Sequence, residues 1–447
     1  MKTKEKPMQW WQLSLMGVAC TIGTGYFLGT GVGISIGGPA IIPAFIIAAI
    51  GTFVVFDVLA RMTASDPKEG SFCAYAAEAF GRWAGFSSGW VYLSSELLIM
   101  GSQMAALSLF TRLWFPGVPI WIFAAVYGVF GIGLILIGTK GFERAEHLFA
   151  VLKLAAIVAF LLIAISALIG WLGDGKNAPK WPVPIFPTGL RGAWSCLIYA
   201  FYSFGGIEIM GLMALRLKNA KDAPKAGRLL IGLLAFLYMA SLLLALSLTP
   251  WHAISANESP FVFSLKGYGI AFVPHLFNAV FIIAGFSTMI ASLFAVTTIL
   301  VTLAKNKDAP PLFAKLGKNK KKTPYYAIGM TTLALFGSIL LALLMPDKIY
   351  EYMTTAAGLM LLYNWMFILV TSNKLLTQTV WGRIKCWTGI SLVLLAVIGT
   401  LFHHKSRPGF FISLSFLALI FCVTWIMNRK WKKDKPDRMI PKERTRS

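Results

Sequence analysis

The groups best placed to do chemistry in this chain are backbone amides and carbonyls, in two glycine-rich stretches of apolar segments. The first stretch, residues 22–31, reads IGTGYFLGTG, with four glycines and two threonines in ten residues. The second, residues 201–211, reads FYSFGGIEIMG and has an acid, Glu208, shortly after two adjacent glycines. Because glycine is a poor helix former, both stretches predict a helix that is interrupted within its segment.

An interrupted helix leaves N–H and C=O groups without helical partners, and these groups can bind a charged solute. The amides of a half-helix that starts near Gly25 offer donors and a positive dipole end to a carboxylate. The freed carbonyls of both stretches offer acceptors to an ammonium group. The two stretches together therefore predict a binding site for a small zwitterion.

Two other interpretations of the glycines are open. Glycines also allow membrane helices to pack closely, which is their common use. The first stretch could instead be a dinucleotide-binding loop, but that loop needs a preceding strand and an acidic residue roughly 20 positions later. The sequence has neither at the required place. The occurrence of two interrupted segments at corresponding positions favours a binding site over packing alone.

The elements that must position these stretches are membrane helices. The chain has 447 residues, of which 57% are hydrophobic and 13% are charged. Apolar runs of roughly 20 residues, enough to cross a bilayer, recur along its length, with short connections. We predict an all-α membrane protein in which residues 1–447 form a single transporter domain. Its twelve predicted spans are residues 11–35, 39–62, 84–111, 118–138, 146–171, 190–216, 229–250, 270–304, 325–345, 350–372, 384–402 and 409–428.

The basic residues predict the topology. The net charge of +23 would suggest a nucleic-acid partner in a soluble protein, but here the lysines and arginines cluster in the connections. If the N-terminus is cytoplasmic, 32 of the 41 basic residues lie on the cytoplasmic side and 8 on the other. The positive-inside rule then predicts a plasma-membrane protein with cytoplasmic tails at residues 1–10 and 429–447. No nucleic-acid partner and no cleavable signal peptide are expected.

Catalytic and metal-binding patterns do not stand out in the sequence. The five cysteines are scattered, which predicts free thiols, and neither they nor the histidines have metal-ligand spacing. No nucleophile–base arrangement is apparent. We therefore expect neither an enzyme nor a bound metal or cofactor.

Several motifs, in order and with matching spacing, give the chain a family resemblance. They are IGTGYFLGTG followed by GGP at 37–39, PKEGSFCAYAAEAFGRWAGFSSGW at 67–90, LWFPGVPIW at 113–121, FERAEHLFAVLK at 142–153, SFGGIE at 203–208, KNAKDAPKA at 218–226 and LAKNKDAP at 303–310. From about residue 10 to 328 the chain resembles the amino acid permeases of the amino acid–polyamine–organocation superfamily, and most of all their bacterial amino acid transporter branch.

The resemblance implies a fold and a function. The fold would be LeuT-like, with discontinuous helices 1 and 6 and two inverted repeats of five spans each. The two repeats would lie within residues 11–216 and 190–372, at roughly 11–171 and 190–372. Two extra spans would follow within residues 384–428. The implied function is uptake of an amino acid, commonly driven by the proton gradient. The implied partners are an amino acid, a proton and the lipid bilayer, and the protein would be a monomer or a homodimer.

The resemblance also implies a substrate site in the two stretches. Its residues would be Gly23, Thr24, Gly25, Tyr26, Gly29, Tyr202, Ser203, Phe204, Gly205 and Glu208. The substrate carboxylate would lie at the break in span 1, and the ammonium group would contact carbonyls of Gly23 and residues 203–205. Aromatic side chains, among them Tyr26 and Phe201, would close the site. The alternative for these aromatic residues is a lipid-facing or core position.

Lys153 and Glu208 are the candidates for proton coupling. A charged side chain within a span is costly and by default functional, and burial favours the neutral form of a lysine. Related permeases have a lysine at this motif position where sodium-coupled relatives bind sodium. The alternative for Lys153 is a side chain that snorkels to the cytoplasmic surface. The alternative for Glu208 is a hydrogen bond to the loose backbone, and Glu96, on the same helix face as Gln103, is expected to make an interhelical hydrogen bond.

The substrate class follows from the scarcity of charge near the predicted site. A basic or acidic substrate side chain would find few partners there, which favours a neutral, aliphatic amino acid such as leucine. Its uptake by proton symport is what the family resemblance implies. Two alternatives are open: an exchanger without net proton flow, and a nutrient sensor that keeps the transporter fold.

Overall fold

The computed structural model describes residues 8–68, 70–137, 139–172, 184–213, 217–266, 268, 272–317, 323–345 and 348–433. Over these ranges the chain forms eighteen α-helices: α1 (Trp10–Thr21), α2 (Thr24–Phe27), α3 (Gly29–Gly37), α4 (Ile41–Ser65), α5 (Phe72–Phe80), α6 (Arg82–Arg112), α7 (Ile120–Ile137), α8 (Thr139–Leu168), α9 (Gly189–Ser195), α10 (Leu197–Tyr202), α11 (Ile207–Met213), α12 (Ala223–Leu248), α13 (Pro260–Leu265), α14 (Phe272–Lys305), α15 (Tyr325–Leu344), α16 (Ile349–Leu375), α17 (Val380–Gly399) and α18 (Arg407–Lys433). Helices lie at all twelve predicted spans, so the prediction of an all-α membrane protein is confirmed.

The lengths of these helices fit a bilayer. In the described ranges, nine helical stretches are long and apolar enough to cross a membrane, and one of them, Thr24–Ser65, includes α2, α3 and α4. The fourth span has a shorter apolar helix, Ile120–Leu136. α6 has 31 residues and is about 46 Å long at 1.5 Å per residue, longer than the hydrocarbon core of about 30 Å. Its two ends, Arg82 and Arg112, therefore reach the polar region of the bilayer.

The first span is broken where the glycines predict. α1 ends at Thr21, Gly23 is extended with φ −151° and ψ −160°, and α2 begins at Thr24. A second irregularity at Leu28, with φ −117°, separates α2 from α3. The backbone groups at Gly23 and in the first turn of α2 are thus outside a continuous helix.

The sixth span is broken in the same way. α10 ends at Tyr202 and α11 begins at Ile207, with turns between them. Gly206 has φ +105°, a conformation that glycine adopts without steric cost. A Cβ atom at Gly206 would lie 3.1 Å from the carbonyl oxygen of Cys20. The two breaks are therefore in direct contact.

Two short helices recur at equivalent places in the two halves of the chain. α5 follows the second span and α13 follows the seventh span. Together with the broken first and sixth spans, this recurrence is the pattern that two five-span units would produce. The short helices are not part of the sequence prediction, because neither is long enough to give a periodic signal.

The interior of the bundle is built around α6 and α16. In the 18-residue apolar segment of each of these two helices, 83% of the residues are buried. In the corresponding segment of α18, at the periphery, 17% are buried. Polar side chains join the two central helices: the hydroxyls of Ser102 and Thr354 are 2.6 Å apart. α18 continues to Lys433, so the C-terminal tail predicted to begin at residue 429 starts as helix instead.

Candidate functional site

The two breaks enclose a small cavity at the centre of the bundle. The Ser203 hydroxyl donates a hydrogen bond to the carbonyl oxygen of Gly25 at 3.1 Å, which ties one break to the other. The cavity beside this contact has a volume of about 30 Å³, enough for about two water molecules. An amino acid can occupy it only if the walls move apart.

The walls of the cavity come from four spans. They are Cys20, Thr21, Gly23 and Gly25 of span 1, Glu96, Ile99 and Gln103 of α6, Tyr202, Gly205, Gly206 and Ile209 of span 6, and Thr288, Ala291 and Ser292 of α14. Among these described residues there is one carboxyl group and no cationic side chain.

Polar contacts hold the break of span 1 in place. The Thr24 hydroxyl donates to the side-chain oxygen of Gln103, and the Tyr350 hydroxyl donates to the carbonyl oxygen of Thr24 at 3.0 Å. The amides of Tyr26 and Phe27 donate to the carbonyl oxygen of Gly23 at 3.1 Å. Those of Thr24 and Gly25, at the start of α2, have no acceptor within the helix, because the first turn of a helix leaves its leading N–H groups unpaired. Gly23 and Gly25 line the cavity, so this end of α2 faces the enclosed space.

The break of span 6 is held by three side chains. Tyr238 donates to the carbonyl oxygen of Ser203 at 3.1 Å. One Glu208 carboxylate oxygen accepts from the Gly206 amide at 3.1 Å, and the other accepts from the Trp365 indole at 3.2 Å. Glu208 lies in the first turn of α11, not within the break itself. In this conformation its carboxylate satisfies the loose backbone, which is the alternative that the sequence left open.

The structure brings together only part of the predicted substrate site. Four of its residues line the cavity: Gly23, Gly25, Tyr202 and Gly205. Thr24 and Ser203 contact the cavity wall through the hydrogen bonds described above. Gly29 lies farther along α3, where an added Cβ atom would be 3.3 Å from the Tyr350 hydroxyl.

The predicted aromatic residues other than Tyr202 pack in the core. Tyr26 stacks on Tyr238 with ring centroids 4.0 Å apart. Phe204 packs against the same ring at 5.3 Å, and Phe201 lies 6.3 Å from Trp365. None of the three lines the central cavity in this conformation. Phe201 and Phe204 take the core position that the sequence left open, whereas Tyr26 also contacts Phe261 of α13, at 4.9 Å.

Side chains of α6 and α14 complete the cavity wall, and the sequence did not place Glu96 among them. Glu96, for which the sequence predicts an interhelical hydrogen bond, is buried in the cavity wall, two turns from Gln103. The spacing of seven residues on one helix face was the available signal. Thr288 packs against the break of span 1, where a Cβ atom at Gly23 would be 2.8 Å from its methyl group. That neighbour is determined by tertiary packing alone.

Lys153 lies behind the cavity, in the interior of the bundle. Its ammonium group donates to the Ser287 hydroxyl at 3.0 Å, and the residue is 1% exposed. The helix that carries it, α8, packs against α1 and α14. In this conformation the side chain is directed into the protein and does not snorkel to the membrane surface. Ser287 is next in sequence to Thr288, so Lys153 contacts the immediate neighbour of a residue in the cavity wall.

A layer of aromatic rings covers the cavity on the side away from the N-terminus. Phe27 follows the break of span 1 and stacks on Phe281 of α14 at 4.0 Å. Tyr26 lies 4.9 Å from Phe261 of α13. Phe110 of α6, seven residues beyond Gln103, lies 6.0 Å from Phe281. These rings separate the cavity from the ends of α6 and α12.

Comparisons with known proteins extend the family resemblance over the whole chain. A family profile described as amino acid permease matches residues 12–440. The uncharacterized transporter YcgH of Bacillus subtilis is 51% identical over 440 residues, which cover 97% of this chain and 98% of that protein.

Several relatives carry names that state a substrate, among them these two. The aromatic amino acid transport protein AroP of Corynebacterium glutamicum is 32% identical, with 92% of this chain and 93% of that protein covered. The L-asparagine permease of Escherichia coli is 27% identical, with 94% of this chain and 88% of that protein covered. Both alignments are long enough to include the two broken spans.

Proposed function

The chain belongs to the amino acid permease family, and from this premise we propose that it takes up a neutral amino acid by symport with protons. Membership of the family confirms the resemblance found in the motifs, and makes the chain a multi-pass membrane transporter of amino acids. The identity of the substrate, the coupling to protons and the location in the plasma membrane with cytoplasmic termini belong to the proposal.

The lining of the central cavity is the observation that carries the proposal. Backbone groups at Gly23 and Gly25 suit a carboxylate, since amides at a helix start attract anions. Glu96 and the carbonyls at the break of span 6 suit an ammonium group. The remaining wall includes the apolar side chains of Ile99 and Ile209. These favour an uncharged aliphatic side chain such as that of leucine.

The size of the cavity supports the same choice. A volume of about 30 Å³ must increase for any amino acid to bind. An aliphatic side chain requires less movement of the aromatic layer and of Tyr202 than an aromatic side chain does. Because named relatives transport aromatic amino acids and asparagine, leucine has to be compared directly with these two classes.

Proton coupling is proposed for Lys153. A lysine buried within a span is costly in its charged form, and the Ser287 hydroxyl partly compensates that cost. We propose that Lys153 loses its proton on the cytoplasmic side and regains it on the outer side as the cavity opens alternately. Glu208, engaged with Gly206 and Trp365, is the second proposed proton carrier and contacts the substrate only after these hydrogen bonds break.

Uptake by the purified protein in proteoliposomes tests the proposal. Labelled leucine, phenylalanine and asparagine are compared with and without a pH gradient, alkaline inside. We expect leucine to accumulate above its external concentration, and a protonophore to abolish the accumulation. Unlabelled neutral aliphatic amino acids are expected to compete, whereas lysine and glutamate are not.

The alternative functions give different results in the same vesicles. An exchanger shows leucine counterflow without accumulation under the pH gradient. A nutrient sensor binds leucine without any flux. Preferred accumulation of phenylalanine or asparagine would overturn the aliphatic specificity, and absence of flux with all three would overturn the transport proposal.

A further inference from the structure

A second cavity lies on the far side of the aromatic layer. Its volume is about 440 Å³, within the range of about 300–1,000 Å³ that is usual for small-molecule sites. It is formed by the C-terminal end of α6, by residues 255–262 after α12, and by Asn278 near the start of α14. All three lie at the face of the bundle opposite the N-terminus, because α6 and α12 both run in the direction of span 1.

The polar groups of this outer cavity suit a zwitterion. Arg112 lines the cavity and has no ion-pair partner in the part of the chain that the structure describes. Glu258 also lines it and forms an ion pair with Lys266, which is not one of the lining residues. The Ser259 hydroxyl, in a residue 1% exposed, has no hydrogen-bond partner among the described residues. A guanidinium group binds a carboxylate through two parallel hydrogen bonds, and a carboxylate and a hydroxyl can accept from an ammonium group.

We propose that the outer cavity is a docking site for the amino acid, occupied before the aromatic layer opens. The inference rests on the proposed function, since it takes the transported amino acid as its ligand. Arg112 binds the α-carboxylate, while Glu258 and Ser259 bind the α-ammonium group. The substrate side chain lies against Phe110 and Val262, which form an apolar part of the wall.

The outer cavity and the aromatic layer share the short helix α13. Val262 lines the cavity, and its neighbour Phe261 belongs to the layer, at 4.9 Å from Tyr26. Both residues lie on the six-residue helix α13. The same segment rests on span 1, where a Cβ atom at Gly31 would be 2.8 Å from the carbonyl oxygen of Glu258. A ligand that displaces α13 therefore also moves Phe261 and opens the way to the central cavity.

Transport measured separately from the two faces tests the docking site. Arg112→Gln is compared with the wild type and with Arg191→Gln, an exposed arginine on the same face that does not line the cavity. The probe is whichever of labelled leucine, phenylalanine and asparagine the wild type transports. The initial rate is measured in oriented proteoliposomes, with substrate added to the face opposite the termini or to the face that carries them.

We expect Arg112→Gln to raise the KM from the face opposite the termini about tenfold, the usual effect of losing a charged hydrogen-bond partner. The maximal rate from that face and the KM from the other face stay unchanged. The maximal rate from the other face falls about tenfold, because the ratio of maximal rate to KM must change equally in both directions when the equilibrium of transport is unchanged. All values for Arg191→Gln stay unchanged. An unchanged KM, or an equal increase from both faces, overturns the docking site while leaving the proposed function intact. A wild type that transports none of the three amino acids overturns both.

Discussion

Lys153 is the residue in which burial and charge conflict most directly. The wild-type ammonium group reaches the Ser287 hydroxyl at 3.0 Å, and the neighbouring Thr288 packs against the break of span 1. A change in the charge of Lys153 therefore acts on α14 at the point where that helix contacts the cavity. This proximity gives the proposed proton carrier a short physical path to the substrate.

Replacing Lys153 by alanine separates binding from coupling. We expect Lys153→Ala to lose accumulation under a pH gradient, because no group in its place can release a proton, while leucine counterflow persists. The measurement is pH-driven uptake and counterflow in the same vesicles. Lys374→Ala, a change at an exposed lysine, serves as the control and keeps both activities. Accumulation by Lys153→Ala with normal pH dependence would contradict the proposed role.

Gly23 is a residue at which any added side chain would clash with a neighbour. A methyl group there would lie 2.8 Å from the Thr288 methyl carbon and 2.9 Å from its hydroxyl oxygen. Such overpacking costs about 1–3 kcal/mol, so we expect Gly23→Ala to weaken leucine binding about tenfold. Thr288→Ala removes both atoms, and the double variant should recover most of the loss.

Equilibrium binding of leucine by the four proteins of this cycle provides the measurement. Thr288→Ala alone shows how much affinity its hydroxyl contributes. If the double variant binds no better than Gly23→Ala, the steric explanation is wrong and Gly23 is needed for its backbone conformation itself.

At the scale of elements, one connection between helices contains a histidine whose pKa is shifted by its surroundings. The turn between α17 and α18 contains His403, whose Nδ1 accepts a hydrogen bond from the Lys405 amide at 3.3 Å. An acceptor nitrogen carries no proton. Burial, together with the nearby positive charges of His404, Lys405 and Arg407, lowers the pKa of His403 to about 4.

The lowered pKa makes this turn sensitive to acid. Between the unfolded value of about 6.5 and the folded value of about 4, the unfolded chain binds the proton more strongly. Stability is therefore lost as the pH falls through this window. Because the ring is partly exposed, we expect a loss of roughly 1 kcal/mol.

Thermal unfolding in detergent at pH 7.5 and pH 5 measures the effect. His403→Asn should lose less stability on acidification than the wild type, since its amide can accept the same hydrogen bond at either pH. His252→Asn, a change at an exposed histidine in the connection after α12, should behave as the wild type does. If His403→Asn loses as much stability on acidification as the wild type does, another group causes the acid sensitivity.

At the scale of the whole molecule, the distribution of basic residues makes a prediction about orientation. Lys374, at the end of α16, and Arg407, at the start of α18, lie at opposite ends of α17, and so on opposite sides of the membrane. The excess of lysine and arginine on the side of Lys374 predicts that this side is cytoplasmic.

Cysteine labelling in intact cells tests the orientation. In a cysteine-free parent that retains uptake, Arg407→Cys should react with a membrane-impermeant maleimide before lysis. Lys374→Cys should react only afterwards. The reverse order would place the termini outside and would exchange the roles of the two faces in the proposed cycle.

The helical architecture could be predicted from the sequence because membrane insertion depends on local properties. Each span must be apolar over its own length, and each connection must carry its own charges, so both are readable without knowing any neighbour. The two breaks were predictable for the same reason, since the residues around Gly23 and Gly206 cannot easily continue a helix. The short helices α5 and α13 were not, because their stability comes from packing against other elements.

The sequence by itself determined the class of the protein, its spans, the positions of the two breaks and the family. Only the tertiary structure decided which side chains line the central cavity. It directed Glu208 to the backbone and to Trp365, put Glu96 and Thr288 in the wall, and packed Tyr26 and Phe204 in the core. The physical reason is that the position of a residue along a helix, with about 3.6 residues per turn, determines which helix face it occupies. Which residues that face contacts depends on how spans that are distant in sequence pack together.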